Sequence, residues 1–191
     1  MRVGRIRYIN CFPVYGAIDR GVVDLGAPVV SGNPSELNQL MAQGQLDVSV
    51  ISAVEYARDS SRYLLLPDLG ITSDGPVLSV MLFSRVPAER LDGKRVLLTR
   101  SSMTSVALTR LLFDHVWKAA PVFAAGDGEM TDIARFGDEP HDARLVIGDA
   151  ALLLANRLRA SEAAQPTVVD YPYVYDLGAC WKEWTGLPFV F

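Results

Sequence analysis

The run Arg7-Tyr8-Ile9-Asn10-Cys11-Phe12-Pro13 places a polar residue, Asn10, where an apolar strand ends and a helix begins. That junction constrains the fold more than any other feature of the chain. In an open α/β sheet, ligands bind in the crevice beyond the carboxyl ends of the strands. Three further junctions follow: Ile51-Ser52, Gly75-Pro76-Val77-Leu78-Ser79, and Thr99-Arg100-Ser101-Ser102-Met103-Thr104-Ser105. Small hydroxyls, an amide and backbone N–H groups dominate these places. None holds a His, a Cys pair or a carboxylate pair, so no metal and no cofactor is expected. The composition of the junctions suits a cleft for an anionic small molecule, with few demands on protein acids or bases.

Strand-like and helix-like segments alternate along the whole chain, which predicts an α/β architecture with mostly parallel strands. Strands are expected over residues 3–9, 27–31, 46–51, 63–67 and 77–84. Helices are expected over 12–19, 33–44 and 53–58. Asn33-Pro34-Ser35-Glu36 reads as a helix start, with Asn33 as cap and Pro34 in the first turn. Ser52 and Glu55 have the spacing of a capping box. Pro87 and the polar run after it mark a boundary, after which a second α/β cycle begins. Its strands are expected over 94–99, 122–124, 145–147 and 167–170, and its helices over 103–117, 129–136 and 149–159. Residues 171–175 read as a linker, 177–184 as a helix and 187–191 as a last strand. The expected organisation is a hinged, two-lobe binding fold, with lobe one over 1–84 plus 176–191 and lobe two over 85–175.

Composition narrows the function classes. The chain has 191 residues, half of them hydrophobic, and a formal net charge of −4. The acidic balance and the lack of a basic run argue against nucleic acid as a partner. No apolar run approaches the roughly 20 residues that span a bilayer, so no membrane partner is expected. The first residues lead straight into a strand pattern, without the n-region and h-region of a signal peptide, which points to a cytoplasmic protein. Cys11 and Cys180 have no metal-ligand spacing and are expected as reduced thiols.

The stretch from Thr99 to Ser105 carries the strongest local signal. A helix N-terminus offers unpaired N–H groups and the positive end of the dipole, which suits a carboxylate or phosphate. Plain capping explains one hydroxyl there, but not the several that Ser101, Ser102, Thr104 and Ser105 supply. The Gly pattern and Lys of a P-loop are missing, which argues against a nucleoside triphosphate. Gly75-Pro76 at a strand entrance fits either a close backbone approach to a ligand, shared with Val77 and Ser79, or an ordinary turn. Asn10 fits either a ligand contact or a turn residue, and Ser52 a helix cap that also faces the cleft. Gly148-Asp149 begins a helix, with Asp149 as its N-cap or as a lip of the cleft. His115 and His141 read as surface residues. Tyr171, Tyr173, Tyr175, Trp181 and Trp184 read as hinge packing, and Asp176 as a helix cap.

Taken in order, these segments resemble the chorismate dehydratases of the futalosine route to menaquinone. The carrying residues are Tyr8-Ile9-Asn10-Cys11-Phe12-Pro13, Gly32-Asn33-Pro34-Ser35-Glu36-Leu37-Asn38, Leu46-Asp47-Val48-Ser49-Val50-Ile51-Ser52-Ala53-Val54-Glu55-Tyr56-Ala57 and Leu66-Pro67. They continue in Gly75-Pro76-Val77-Leu78-Ser79-Val80-Met81-Leu82-Phe83-Ser84, Leu98-Thr99-Arg100-Ser101-Ser102-Met103-Thr104-Ser105, Ile147-Gly148-Asp149-Ala150-Ala151-Leu152 and Asp176-Leu177-Gly178. Trp181 and Thr185-Gly186-Leu187-Pro188-Phe189-Val190-Phe191 complete the set. The dihydroxynaphthoate synthases of the same pathway share the fold but are less similar in the first and last segments. Cys11 departs from the small hydroxyl residue expected there, and residues 123–142 match nothing in the family.

The resemblance implies a periplasmic-binding-protein-like fold of type II used as a lyase. It also implies that family members continue beyond residue 191, in helices packed on lobe one. The implied substrate is chorismate, a dianion that loses water to give 3-[(1-carboxyvinyl)oxy]benzoate. Asn10 is then expected as the catalytic residue. Ser52, Gly75, Val77, Ser79, Ser102, Thr104, Ser105, Gly148 and Asp149 are expected to bind substrate. Aromatisation drives the reaction, so positioning and carboxylate binding are the tasks left to the protein. The carrying segments hold no evident base, and the substrate's own enolpyruvyl carboxylate is the expected proton acceptor. The competing readings are a cytosolic small-carboxylate binding protein and the pathway's 1,4-dihydroxy-6-naphthoate synthase.

Overall fold

Val3–Ile6 forms β1, a four-residue strand whose Val3 and Ile6 are buried. In this computed structural model, which describes residues 1–130, 135, 138–161 and 171–191, the chain divides into two compact units. The first comprises residues 1–72, 101–104 and 190–191, and the second 73–100 and 105–189.

In the first unit, a 3-10 turn over Ile9–Cys11 runs into helix α1, Phe12–Asp19, with Pro13 in its first turn. Strand β2, Val29–Gly32, pairs in parallel with β1, Val3 opposite Val29 and Ile6 opposite Gly32. Helix α2, Pro34–Ala42, starts on a complete capping box. Asn33 Oδ1 accepts from Glu36 N at 3.0 Å, and the Glu36 carboxylate accepts from Asn33 N at 2.9 Å. Such a cap contributes about 1 kcal/mol by satisfying donors that the helix leaves unpaired. Helix α3, Ala53–Arg58, follows Ser52. The core of this unit gathers Ile6, Cys11, Tyr15, Leu37 and Leu46 from these elements. The Tyr15 hydroxyl donates to the Gly4 carbonyl at 2.9 Å and pins α1 against β1.

Two-residue strands lie where the chain passes between the units: β3, Thr72–Ser73, and β9, Phe189–Val190. The second unit is built on five strands: β4 (Val80–Ser84), β5 (Arg95–Thr99), β6 (Val122–Gly126), β7 (Ala143–Ile147) and β8 (Tyr173–Asp176). Their spatial order is β6-β5-β7-β4-β8. β5 runs parallel to β6 and β7, whereas β4 is antiparallel to both β7 and β8. Every residue of β4 and β7 is buried, as expected of central strands covered on both faces. Helix α5, Gly148–Ser161, lays Ala150, Ala151, Leu154 and Ala155 on Met81, Phe83, Val146 and Tyr171. The alanines form a narrow stripe at helical spacing and let the helix sit close to the sheet. Helix α4, Met103–Leu112, widens into a π-helical turn over Phe113–Trp117, which Lys118 ends in the left-handed conformation. Phe113 lies edge-on to Trp117 and Phe123, at 4.7 and 5.7 Å. Helix α6, Leu177–Thr185, is capped by Asp176 and stopped by Gly186. Among the described residues, no helix is long and apolar enough to cross a membrane.

Several expectations change. The first strand ends at Ile6, three residues early, because Asn10 sits inside the 3-10 turn. Residues 46–51 form no strand: they touch β1 through one parallel bridge, Val48 to Val3, and Val48 stays 37% exposed at that edge. Residues 63–67 are also not a strand, and Leu64, Leu65 and Leu66 are exposed. The expected linker over 171–175 is largely β8, because β4 presents a free edge that Tyr173, Val174 and Tyr175 complete. Within the second sheet β4 alone runs against the other four strands, so the sheet is mostly parallel with one reversed strand. The compact units part at 72/73, 100/101, 104/105 and 189/190, whereas the expected lobes part at 84/85 and 175/176; β4 pairs on both edges inside the second unit. The expected strand over 167–170 and most of the expected helix over 129–136 lie outside the described residues.

Candidate functional site

The first unit holds a buried polar network that begins on α2. Asn38 lies on the helix face that also carries Leu37 and Met41, and it is 1% exposed. Its carboxamide is spent on Ser52: Oδ1 accepts from the Ser52 N–H at 3.0 Å, and Nδ2 donates to Ser52 Oγ at 2.8 Å. Nδ2 also reaches Met103 Sδ at 3.3 Å. Ser52 Oγ in turn accepts from Glu55 N at 3.3 Å and so caps α3. Only half of the expected capping box exists. The Ser52 N–H is taken by Asn38, and the Glu55 carboxylate instead accepts from the Tyr63 hydroxyl at 2.7 Å.

The residues before and in the first turn of α4 join the same network. Ser101 O accepts from Ser35 N at 3.2 Å, and Thr104 Oγ1 accepts from Val54 N at 3.3 Å. Accepting from Val54 leaves the Thr104 hydroxyl proton able to donate. Ser102 is half-buried before the helix. The structure thus brings together two residues expected from sequence, Ser52 and Thr104, through α3, whose cap is Ser52 and whose Val54 N–H is held by Thr104. Asn10 is half-buried in its 3-10 turn, and its Oδ1 accepts from the Cys11 thiol at 3.5 Å. The carboxamide nitrogen remains a donor. Cys11, buried at 2% exposure, does through sulfur what a hydroxyl would do over a shorter distance.

On the second unit, the segment from Gly75 to Ser79 is held by one carboxylate. Asp176 accepts from Val77 N at 3.0 Å and Leu78 N at 2.7 Å, and it caps α6 through Gly178 N and Ala179 N at 2.9 and 3.0 Å. Gly75 has φ +120°, a conformation that side chains disfavour, and Leu78 has φ +60°. Ser79 is buried, and its carbonyl accepts from Gly148 N at 2.8 Å. Gly148 with φ +63° opens α5. Gly75, Val77, Ser79 and Gly148 are therefore neighbours along one chain of backbone bonds. Asp149 is exposed in the first turn of α5 rather than its N-cap, because the helix already begins at Gly148. Ser105 is buried within α4, and its carbonyl accepts from the Thr109 hydroxyl at 2.8 Å.

Sequence reasoning passed over Asn38, although a polar residue on a helix's apolar stripe must find a buried partner. It also misplaced His141, which is 8% exposed rather than on the surface. Its Nδ1 lies 2.6 Å from the Glu139 carbonyl, which can only accept, so Nδ1 carries the proton and Nε2 accepts from the Tyr171 hydroxyl at 2.8 Å. Burial pushes the imidazole below its ordinary value of 6.5; the Glu139 hydrogen bond opposes this, and the Arg144 and Arg85 guanidiniums add to it. Arg144, at 1% exposure, is paired with Glu139 at 3.5 Å, and Glu139 also holds Arg95 at 3.1 Å. His115 is exposed as expected and stacks on Trp184, 5.3 Å between centroids. Both cysteines are free thiols, and burial pushes Cys180 up to about 11.

Comparison with known proteins gives this arrangement a context. Residues 1–191 match the model of a family described as menaquinone biosynthesis. A chorismate dehydratase of Thermus thermophilus is 32% identical over 193 residues, covering 99% of this chain and 67% of the relative. A chorismate dehydratase of Campylobacter jejuni is 28% identical over 195 residues, covering 100% of this chain and 65% of the relative. The chain thus spans about two thirds of the length of the curated relatives it matches. A crystal structure of an Archaeoglobus fulgidus protein superposes with a TM-score of 0.70 at 23% identity, over 99% of this chain and 64% of that one. The periplasmic aliphatic sulphonate binding protein of Escherichia coli superposes with a TM-score of 0.52 at 14% identity, over 97% of this chain and 67% of that one. These likenesses show the α/β fold of the periplasmic-binding-protein-like class, type II. With a family match along its full length, the chain belongs to the menaquinone-biosynthesis family.

Proposed function

We propose that this protein dehydrates chorismate to 3-[(1-carboxyvinyl)oxy]benzoate, as a hydro-lyase in the cytoplasm. The observation that carries the reading is the similarity to two proteins named chorismate dehydratase over 99–100% of the chain. The site residues support it by their chemistry. Ser52 and Thr104, held in one network around α3, offer hydroxyls of the kind that bind carboxylates. Asn10 offers a carboxamide that both donates and accepts, which suits the departing hydroxyl. The loop from Gly75 to Ser79 offers a preset backbone. Charge-assisted hydrogen bonds to an anion are shorter and about twice as strong as neutral ones, so a few such groups can hold a dianion.

The reaction breaks the C–H bond at the ring carbon bearing the enolpyruvyl ether and the neighbouring C–O bond. The electron pair of the C–H bond becomes the new ring double bond, which completes the aromatic sextet. Hydroxide leaves and, with the released proton, becomes water. In this reading the enolpyruvyl carboxylate of the substrate takes that proton from the ring carbon and passes it to the departing hydroxide, with Asn10 donating to the leaving oxygen. A group that stabilises charge only as it develops raises turnover rather than affinity.

The test is to add chorismate to the protein and follow the ultraviolet spectrum and the products by mass spectrometry. An aromatic product one water lighter supports the reading. Binding without conversion would make the protein a carboxylate-binding protein. Inertness to chorismate with turnover of the naphthoate synthase's cyclic futalosine substrate would move it to that enzyme class.

A further inference from the structure

Asp176 makes more bonds than a helix cap needs. Two of its four N–H partners, Gly178 and Ala179, are the ordinary unpaired donors of the first turn of α6. The other two, Val77 and Leu78, lie 99 and 98 residues earlier in the chain. Leu78 is a non-glycine residue with φ +60°, a conformation that persists only where the surroundings impose it. Asp176 Oδ2 imposes it, accepting from Leu78 N at 2.7 Å. The same turn of α6 presses on the loop from a second side. A Cβ added to Gly178 would lie 2.7 Å from the Gly75 carbonyl oxygen and 3.0 Å from Val77 Cβ, so only glycine lets the loop approach this closely. Lys182, one turn further along, forms an ion pair with Asp74 at 2.6 Å, just before the loop.

We propose that Asp176 is a positioning residue: through the N–H groups of Val77 and Leu78, it sets the backbone of the Gly75–Ser79 loop in the conformation that binds substrate. The inference rests on the chorismate reading for what the loop binds, and on the geometry alone for the positioning. The Asp176 carboxylate accepts from four backbone N–H groups, so its role is to position rather than to react. It acts by keeping a strained segment in place before substrate arrives, so binding does not have to supply the ordering. Gly178 allows that approach, and Asp176 locks it.

The decisive variant is Asp176→Ser. Serine is a good N-cap and keeps the bonds to Gly178 and Ala179, but it has a single side-chain oxygen and cannot also hold Leu78. The expected result is a melting temperature close to the parent's with a KM for chorismate raised about tenfold or more, kcat changing less, as for the loss of binding shared by ground and transition states. Gly178→Ala should raise KM in the same direction without touching a charge, and its folding is checked by its own melt. Amide exchange at Val77 and Leu78 is measured in parallel and should be at least about tenfold faster in Asp176→Ser. Parent KM together with parent exchange rates in Asp176→Ser would overturn the proposal and leave Asp176 a cap. If the parent does not convert chorismate, the functional reading fails, and the exchange rates alone then decide the positioning.

Discussion

Replacing Asn38 by alanine tests the network that joins α2, Ser52 and α3. Asn38 is 1% exposed and Ser52 6%, so neither group can turn to water when its partner is lost. The substitution leaves the Ser52 N–H, now held at 3.0 Å, as a buried donor with no acceptor. An orphaned buried donor costs about 1–3 kcal/mol. Ser52 Oγ loses the 2.8 Å bond from Asn38 but keeps the Glu55 N–H, so its loss is smaller, about 0.5–1.5 kcal/mol. Together the cost is about 2–4 kcal/mol, and at about 2–4 °C per kcal/mol for a chain of this size the melt should shift down by about 5–15 °C. Circular dichroism at fixed pH and salt reads the shift. Ser52→Ala removes the hydroxyl but leaves the backbone N–H, and the double variant closes a cycle. If the pair interacts, the double substitution should cost less than the sum of the singles by about 1 kcal/mol. A shift under about 2 °C, or strict additivity, would refute the reasoning, because it would mean that these groups are solvated or paired elsewhere.

Asn10→Ala should lower turnover of chorismate by about 100-fold or more while the melting temperature stays near the parent's, since a donor used only in the transition state is lost and the residue is half-buried. Normal turnover in that variant would return Asn10 to the status of a turn residue. His141 should make stability fall in mild acid. Its folded pKa lies below 6.5, so as pH drops through 6.5 the unfolded chain takes up a proton that the buried imidazole refuses, and stability is lost down to the folded pKa. His141→Gln should flatten that part of the stability–pH curve, and identical slopes in parent and variant would disprove the assignment. With its thiol raised to about 11, Cys180 should alkylate slowly at pH 8 and rapidly once the chain is unfolded in urea. Fast native labelling at Cys180, read by mass spectrometry, would contradict the burial.

Local chemistry was legible in the sequence wherever the deciding partners lie within a few residues. The α2 start is an example: Asn33, Pro34 and Glu36 contain the whole capping box, and the structure reproduces it bond for bond. Asp176 as the cap of α6 and the run of apolar residues in β4 belong to the same class. The α/β alternation was also readable, because strand and helix periods differ and each leaves its pattern in the order of residues. The similarity along the whole chain carried the family.

Distant partners decided the rest. Glu55 had the spacing to close a capping box on Ser52, yet Tyr63 took its carboxylate and Asn38 took the Ser52 N–H. Residues 171–175 looked like a linker until β4 offered an open edge with unpaired donors and acceptors. His141 is flanked by an acidic loop in sequence, but the fold stacks it on Tyr171 and faces it with Arg85 and Arg144. Asp176 was visible as a cap and invisible as a clamp, because Val77 and Leu78 lie almost a hundred residues away. The sequence by itself therefore determined the α/β alternation, the caps of α2 and α6, and the family. Only tertiary structure decided which donor meets which acceptor across the chain, because a buried polar group pairs with the nearest partner in space, and closing the chain brings that partner from far along it.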